Sequence, residues 1–158
     1  MKEKKKGVIH RKQKGNSLET QTSKYIQELY NLNDDECCRN PHSGAATKEL
    51  GDIFILKRYR DTMLPYAIEC KNVEGWDIRN IWPSPSKMFT DWFSKIENEA
   101  GEKYCPFLIF SKAYFPIYAL TKSEHLKKFN KDLSTLTYLK CDNDYIIFLM
   151  TELFKELK

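Results

Sequence analysis

The sequence lacks any long apolar run and any closely spaced pair of cysteines. No stretch approaches the roughly 20 apolar residues of a membrane-spanning helix, and the first lysines are not followed by the apolar segment of a secretory signal. The five cysteines are odd in number and form no Cys-x-x-Cys pair, which argues against a zinc ribbon and favours a reducing compartment. We therefore expect a cytoplasmic protein.

Basic charge is in excess only at the N-terminus. Of the 26 basic side chains, seven lie in residues 1–14 with one of the 22 acids, which leaves 19 basic and 21 acidic side chains elsewhere. The apolar content of 41% is enough for one buried core. We predict a flexible basic arm over residues 1–15 and a single domain over residues 16–158. Such arms either contact nucleic acid or are solvated tails.

The first half of the chain predicts one helix and three strands. Leu18, Ile26 and Leu29 follow helical spacing, and Asn16 with Glu19 forms a capping-box pattern at the helix start. The predicted elements are a helix over 17–31, a short strand over 36–39, a flexible loop over 41–48, and a hairpin of strands 52–59 and 64–71.

The second half predicts a mixture of helices and strands. Ser86 is placed to cap a helix whose core face is Met88, Phe89, Trp92, Phe93 and Ile96, and Gly101 is placed to end it. Pro116 suggests that its strand lies at a sheet edge. The remaining elements are strands over 107–110, 114–120 and 145–150, a short helix over 123–129, and a C-terminal helix capped by Thr151.

Charged residues lie at the ends of two apolar runs. Gly51-Asp52 opens one run, and Ile68-Glu69-Cys70-Lys71 closes the next. Glu69 and Lys71 are two residues apart on a predicted strand, so they project from the same face. A carboxylate pair can hold a divalent ion, and a lysine can offset charge that develops on a phosphate, as phosphodiester cleavage requires.

Each of these features has an ordinary structural alternative. Most Glu-x-Lys triplets are exposed ion pairs, and Gly-Asp is a common turn. The capping role of Glu19 explains that residue without any ligand. The order of all the features together is therefore more informative than any one of them.

That order resembles the PD-(D/E)xK nuclease superfamily, and within it the archaeal and phage Holliday junction resolvases. The matching segments are Lys14-Gly15-Asn16-Ser17-Leu18-Glu19, Pro41-His42-Ser43-Gly44-Ala45, Gly51-Asp52-Ile53 and Tyr66-Ala67-Ile68-Glu69-Cys70-Lys71-Asn72. The resemblance implies an α/β fold with a restriction-endonuclease-like core, in which a central mixed β-sheet is flanked by helices.

The resemblance also implies roles for particular residues. Asp52, Glu69 and Lys71 are the implied catalytic set, with Glu19 as accessory ligand or water orienter and Ser43 near the scissile phosphate. Asp52, Glu69, the Cys70 backbone carbonyl and Glu19 would hold Mg²⁺, with Mn²⁺ as a substitute. One departure from the phage members is Lys95, which stands where they often carry glutamine, and this leaves open whether that helix contacts DNA.

The predicted contacts with DNA are basic and do not read sequence. Their side chains would bind backbone phosphates, which gives affinity without specificity. The residues are Lys4, Lys5, Lys6, Arg11, Lys12, Lys14, Arg39 and His42.

Three functions remain compatible with these residues. The first is a metal-dependent, structure-selective endonuclease, in particular a Holliday junction resolvase that cuts four-way DNA junctions as a homodimer. The second is another PD-(D/E)xK nuclease, either restriction-type or an exonuclease. The third is a non-catalytic DNA-binding protein of the same fold, against which the intact Asp52, Glu69 and Lys71 set argues.

Overall fold

The computed structural model describes residues 18–41 and 50–158. The elements are α1 (18–30), β1 (Cys37–Arg39), β2 (Ile53–Ile55), α2 (Lys57–Arg60), β3 (Tyr66–Asn72), α3 (Lys87–Ala100), β4 (Cys105–Ser111), β5 (Tyr118–Lys122), α4 (Ser123–Leu126), β6 (Tyr138–Lys140), β7 (Tyr145–Leu149) and α5 (Met150–Leu157). Short 3₁₀ turns occupy Ile78–Asn80 and Lys127–Phe129.

A five-stranded mixed sheet organises these elements. Its order is β3-β4-β5-β7-β6, with β3 and β4 parallel and the other neighbours antiparallel. The parallel pair is joined through α3, as parallel neighbours require a crossover connection. Strands β1 and β2 form a separate antiparallel pair. The predicted α/β fold with a central mixed sheet is confirmed.

Helices cover both faces of the sheet, and the side chains of β3 alternate between them. Tyr66, Ile68 and Cys70 join the core that α1 and α5 close on one face, whereas Ala67 joins the core beneath α3 on the other. Since alternate residues of a strand face opposite ways, Glu69 and Lys71 share the side of Ala67. The site residues of β3 therefore point toward the α3 layer.

Buried aromatic contacts hold β3 against the helices of the first face. Tyr66 is fully buried and stacks on Phe154 of α5, with ring centroids 5.1 Å apart. Its hydroxyl shares a 2.9 Å hydrogen bond with the hydroxyl of Tyr30 on α1. Burying a side chain of this size contributes about 1.5–3 kcal/mol, so the strand that carries Glu69 has a rigid support.

The predicted hairpin between strands 52–59 and 64–71 is wrong. β2 spans only Ile53–Ile55 and pairs with β1, with Arg39 opposite Ile53. The residues after Leu56 are Lys57-Arg58-Tyr59-Arg60, which lack the apolar alternation of a half-buried strand. They form α2 instead, and its Arg60 guanidinium donates to the Ile53 carbonyl at 3.0 Å.

Several smaller expectations in the second half also change. The strand predicted over 114–120 begins at Tyr118 and lies inside the sheet, because Pro116 belongs to the preceding loop. The edge strand β6 was not predicted. Met88 is largely exposed on α3, and Thr151 lies within α5 rather than before it. The helices predicted over 17–31 and 123–129 and the helix from Ser86 to Gly101 are confirmed within the described residues.

Some sequence predictions fall outside the described residues. These are the arm over residues 1–15, the Asn16 cap, and all but Pro41 of the loop over 41–48. Within the described residues, no helix combines the length and the apolar character needed to cross a membrane.

Candidate active site

Gly51 and Asp52 are fixed against the middle of β3. The Asp52 amide donates to the Ile68 carbonyl at 2.7 Å, and the Asn40 side chain donates to the Gly51 carbonyl at 2.9 Å. Gly51 has a φ of +69°, and a Cβ built on it would lie 2.4 Å from the Ile68 oxygen. Only glycine fits this position, because both the backbone angle and the close approach exclude a side chain.

The Asp52 carboxylate lies at the free edge of β3. Its Oδ2 accepts a 2.8 Å hydrogen bond from the Cys70 amide, and the residue is only 8% exposed. The N–H and C=O of one strand residue point to the same side, so the Cys70 carbonyl also faces the Asp52 side of β3. An aspartate and a backbone carbonyl therefore meet at this edge.

Glu69 is a buried carboxylate held by two lysines. Its side chain is 1% exposed. Lys71 donates to Oε1, which confirms the predicted shared face of these two residues. Lys95 on α3 donates to Oε1 at 3.0 Å and to Oε2 at 2.8 Å. The carboxylate thus binds ammonium groups from its own strand and from the helix above it.

Glu19 reaches the same region from the first turn of α1. Arg39 Nε lies 3.6 Å from Glu19 Oε2, and this buried oxygen accepts no hydrogen bond from the described residues. Burial, followed by the charge of Asp52, raises the pKa of Glu19, while Arg39 and Lys71 act in the opposite direction. The charges of Asp52, Lys71 and Glu69 all act on Glu19, so Glu19 lies in the same region as these residues, and its role as a ligand stays a prediction.

The charge balance of the site favours a cation. Burial raises the pKa of Asp52, the charge of Glu69 raises it further, and the Cys70 amide, Lys71 and Lys95 only partly offset these effects. Burial lowers the pKa of Lys95, but the hydrogen bond and charge of Glu69 outweigh burial and leave it raised. A cluster of buried acids that disfavour their own ionisation is typical of a functional site.

The donor set fits a hard divalent ion. Mg²⁺ prefers oxygen ligands and is usually bound through one or two carboxylates while it keeps several waters. Asp52, Glu69, Glu19 and the Cys70 carbonyl supply only oxygens, and the Glu19 Oε2 atom, which is ion-paired with Arg39 but accepts no hydrogen bond from the described residues, has capacity for another contact. These residues can hold Mg²⁺ or Mn²⁺.

A second acidic cluster lies between α3 and α4. Among the described residues, Glu97, Glu124 and His125 form the one group of three or more candidate ligands whose ligand atoms all lie within 4.8 Å of one another. Lys122 Nζ already contacts both Glu97 oxygens at 2.7 and 2.9 Å, and His125 Nε2 contacts one at 2.8 Å. This group is a satisfied ion-pair network.

Part of the sequence-predicted site cannot be located. Ser43, His42 and the six basic residues of the arm lie outside residues 18–41 and 50–158. Arg39 is described and lies next to Glu19. Its predicted role in binding DNA stays a prediction.

Sequence reasoning missed the contribution of α3. Lys95 binds Glu69, and Glu99 one turn later accepts a 3.1 Å hydrogen bond from the Gly51 amide. The i, i+4 spacing of Lys95 and Glu99 marked one helix face, but nothing in the sequence indicated which strand that face would meet. Helix α3 thus supports both strand segments that carry the acids.

Comparison with known proteins gives one result. The profile of the family described as "Phage putative PDDEXK endonuclease" matches residues 10–158. The match includes every described site residue. No curated protein and no solved structure matches the chain significantly.

Proposed function

The chain belongs to this phage PDDEXK endonuclease family and is a nuclease of the PD-(D/E)xK type, and from that premise we propose that it is a Mg²⁺-dependent endonuclease that resolves four-way DNA junctions. The observation that carries the proposal is the contact of the Asp52 carboxylate with the Cys70 amide of β3, the strand that also carries the Glu69–Lys71 pair. The family supports DNA as the substrate class. Junction selectivity rests on the resemblance of the motif order to resolvases.

The proposed roles follow from the position of each group. Asp52, Glu69, the Cys70 carbonyl and Glu19 would hold the ion, and such an ion would supply positive charge to polarise the phosphate and activate water. Lys71 lies on Glu69 with its side chain 27% exposed, so its ammonium can reach a phosphate oxygen and offset the charge that develops there. The resemblance gives Ser43 a role close to the scissile phosphate.

Binding to DNA would rest on sequence-independent charge. The basic arm, Arg39 and His42 contact backbone phosphates, so affinity falls steeply as salt rises. The enzyme then acts where phage and host DNA are found, in the cytoplasm of the infected cell.

Paired cuts would require a second copy of the chain. A junction has approximate two-fold symmetry, and a two-fold dimer presents one active site to each of two equivalent strands. One site of this kind makes one cut. We therefore propose a homodimer as the acting species.

The test compares DNA shapes in one assay. Four-way junction, flap, nicked duplex and linear duplex are incubated with the protein in Mg²⁺, with each junction arm labelled separately, and the mass of the protein in solution is measured in parallel. We expect a dimer that nicks two opposed strands of the junction. A monomer that degrades linear duplex as readily as junctions would overturn the junction assignment and favour a general nuclease.

A further inference from the structure

Of the two lysines that bind the buried Glu69 carboxylate, Lys95 is the more exposed to solvent. The Glu69 side chain is 1% exposed, that of Lys71 is 27% exposed and that of Lys95 is 55% exposed. Lys95 rises from α3 and spans both Glu69 oxygens, at 3.0 and 2.8 Å. Its ammonium therefore stands between the carboxylate and the solvent from which an ion and DNA must approach.

The two lysines on Glu69 are not equivalent. Lys71 contacts one oxygen and belongs to the same strand, so it stays near Glu69 whatever the helix does. Lys95 contacts both oxygens, its side chain is more exposed than that of Lys71, and Glu99 is a second acid 4.0 Å away. A cation that takes a Glu69 oxygen must replace hydrogen bonds from an ammonium, and the more exposed Lys95 has more room to move outward.

We propose that Lys95 is a second lysine of the active site that holds the Glu69 carboxylate before the ion binds and contacts a DNA phosphate after the ion has replaced it. The proposal rests on the proposed function, because it takes Glu69 as an ion ligand. A departing ammonium remains at the mouth of the site, where the approaching group is an anionic phosphodiester. Lysine suits this exchange because it is a compact point charge on a long stem.

The alternative is a purely structural ion pair that ties α3 to β3. A partly exposed pair of this kind contributes little to folding, on the order of 0–1 kcal/mol in typical cases. The two roles make opposite predictions for ion binding. A structural tie organises Glu69, so its loss should weaken ion binding, whereas loss of a competing ammonium should strengthen it.

The experiment uses Lys95→Gln with Lys87→Gln as the matched control. Lys87 lies on the same face of α3, two turns and about 12 Å away, where it pairs with Asp91. Both variants remove one positive charge. Mn²⁺ binding to the DNA-free protein is measured by electron paramagnetic resonance, and affinity for a four-way junction is measured in Ca²⁺ over a range of salt.

We expect the affinity for Mn²⁺ and the affinity for the junction to change in opposite directions in K95Q. K95Q should bind Mn²⁺ about ten-fold more tightly, because an ammonium beside the ion is gone. The same variant should bind the junction more weakly, and its salt slope should fall by about one. K87Q should leave Mn²⁺ binding unchanged, and Lys95→Arg should restore junction affinity.

Two results separate failure of this inference from failure of the proposed function. Mn²⁺ binding that is unchanged or weaker in K95Q, but lost in Glu69→Gln, would overturn the role of Lys95 and leave the site assignment intact. Unaltered Mn²⁺ binding in E69Q would instead remove Glu69 from the ion site, and both proposals would fail.

A measurement on the unmodified protein covers the case in which K95Q does not fold. Acylation of individual lysines is followed by mass spectrometry without ion, with Ca²⁺, and with Ca²⁺ and junction. The Lys95 rate should rise when Ca²⁺ is added and fall when the junction is added, while Lys87 serves as the internal reference. A Lys95 rate that Ca²⁺ at saturating concentration does not change would refute the exchange.

Discussion

Side chains of helix α3 take part in two clusters of charged residues, and the pKa of an acid is shifted in opposite directions in the two. In the first, Lys95 meets Glu69 beside Asp52, and burial leaves the pKa of Asp52 raised. In the second, burial would raise the pKa of Glu97, but hydrogen bonds from Lys122 and His125 outweigh it and lower that pKa. Close spacing of acids alone therefore does not identify a metal site; the two clusters differ in whether their partners offset the effect of burial on the pKa of an acid.

The difference has a structural origin in how the acids are buried. Glu97 is bound by Lys122 of β5 and by His125 of α4, so its carboxylate already has two partners before anything else binds. The backbone of Asp52 is hydrogen-bonded to the free edge of β3, and its carboxylate accepts a hydrogen bond from the Cys70 amide. The Glu97 cluster fastens α3 to the sheet, whereas the partners of Asp52 only partly offset the cost of burying its charge.

Substitution of an acid in each cluster should give the largest difference between the two clusters. Asp52→Asn or Glu69→Gln should lower the rate of DNA cleavage by at least about a hundred-fold, because electrostatic support for the reacting phosphate is lost. Glu97→Gln should cleave at close to the wild-type rate. Initial rates on one labelled junction in Mg²⁺ measure all three. Full activity in D52N together with loss of activity in E97Q would reverse the assignment.

Substitution of Gly51 tests whether backbone geometry places Asp52. Gly51→Ala would bring a Cβ to 2.4 Å from the Ile68 oxygen, whereas a Cβ on Gly75 meets nothing within 4 Å. Both glycines have positive φ, so the backbone strain is shared. G51A should therefore lose about 1–3 kcal/mol more stability than Gly75→Ala, and it should lose cleavage activity.

Thermal denaturation and cleavage assays of the two glycine variants give the comparison. Equal stability and equal activity in G51A and G75A would mean that the contact between Gly51 and β3 does not position the aspartate.

The smallest expected effect concerns the pH dependence of the second cluster. The pKa of Glu97 is lowered in the folded state from its ordinary value of 4.5. Its ion pairs therefore stabilise the fold above that pH, and the contribution is lost as pH falls through the folded-state value. E97Q should be less stable than wild type by about 0.2–1 kcal/mol at neutral pH, and the difference should vanish in acid.

Urea denaturation at pH 7 and at a series of pH values that extends well below 4.5 measures this difference. A gap between E97Q and wild type that widens toward low pH would contradict the sign, and with it the view that the cluster of Glu97, Lys122 and His125 is a balanced network.

The sequence correctly predicted β3, the strand that carries Glu69 and Lys71, but not which elements pack around that strand. Apolar residues on β3 alternate about Glu69 and Lys71, and this local pattern placed both side chains on one face. The hairpin prediction failed because three-residue strands leave too little pattern, and because β2 pairs with β1, which precedes it in the chain, rather than with β3 across residues 60–62. Local periodicity does not specify partners.

The parts of the site that come from α3 lay beyond sequence reasoning for a related reason. Lys95 and Glu99 look like ordinary surface residues of an amphipathic helix, and only the crossover from β3 to β4 lays that helix over Glu69. The Gly51 requirement is equally tertiary, because the clash arises with a carbonyl 17 residues later in the chain. Contacts of this kind depend on topology rather than on residue pattern.

The location of the ion is the central claim, and it can be measured directly. Crystals soaked in Mn²⁺ give anomalous difference density that marks the metal without reference to any expected ligand. We predict an anomalous peak about 2.1 Å from carboxylate oxygens of Asp52 and Glu69, with the Lys95 side chain moved away from Glu69. A peak confined to Glu97, Glu124 and His125, with Glu69 still bound by both lysines, would contradict it.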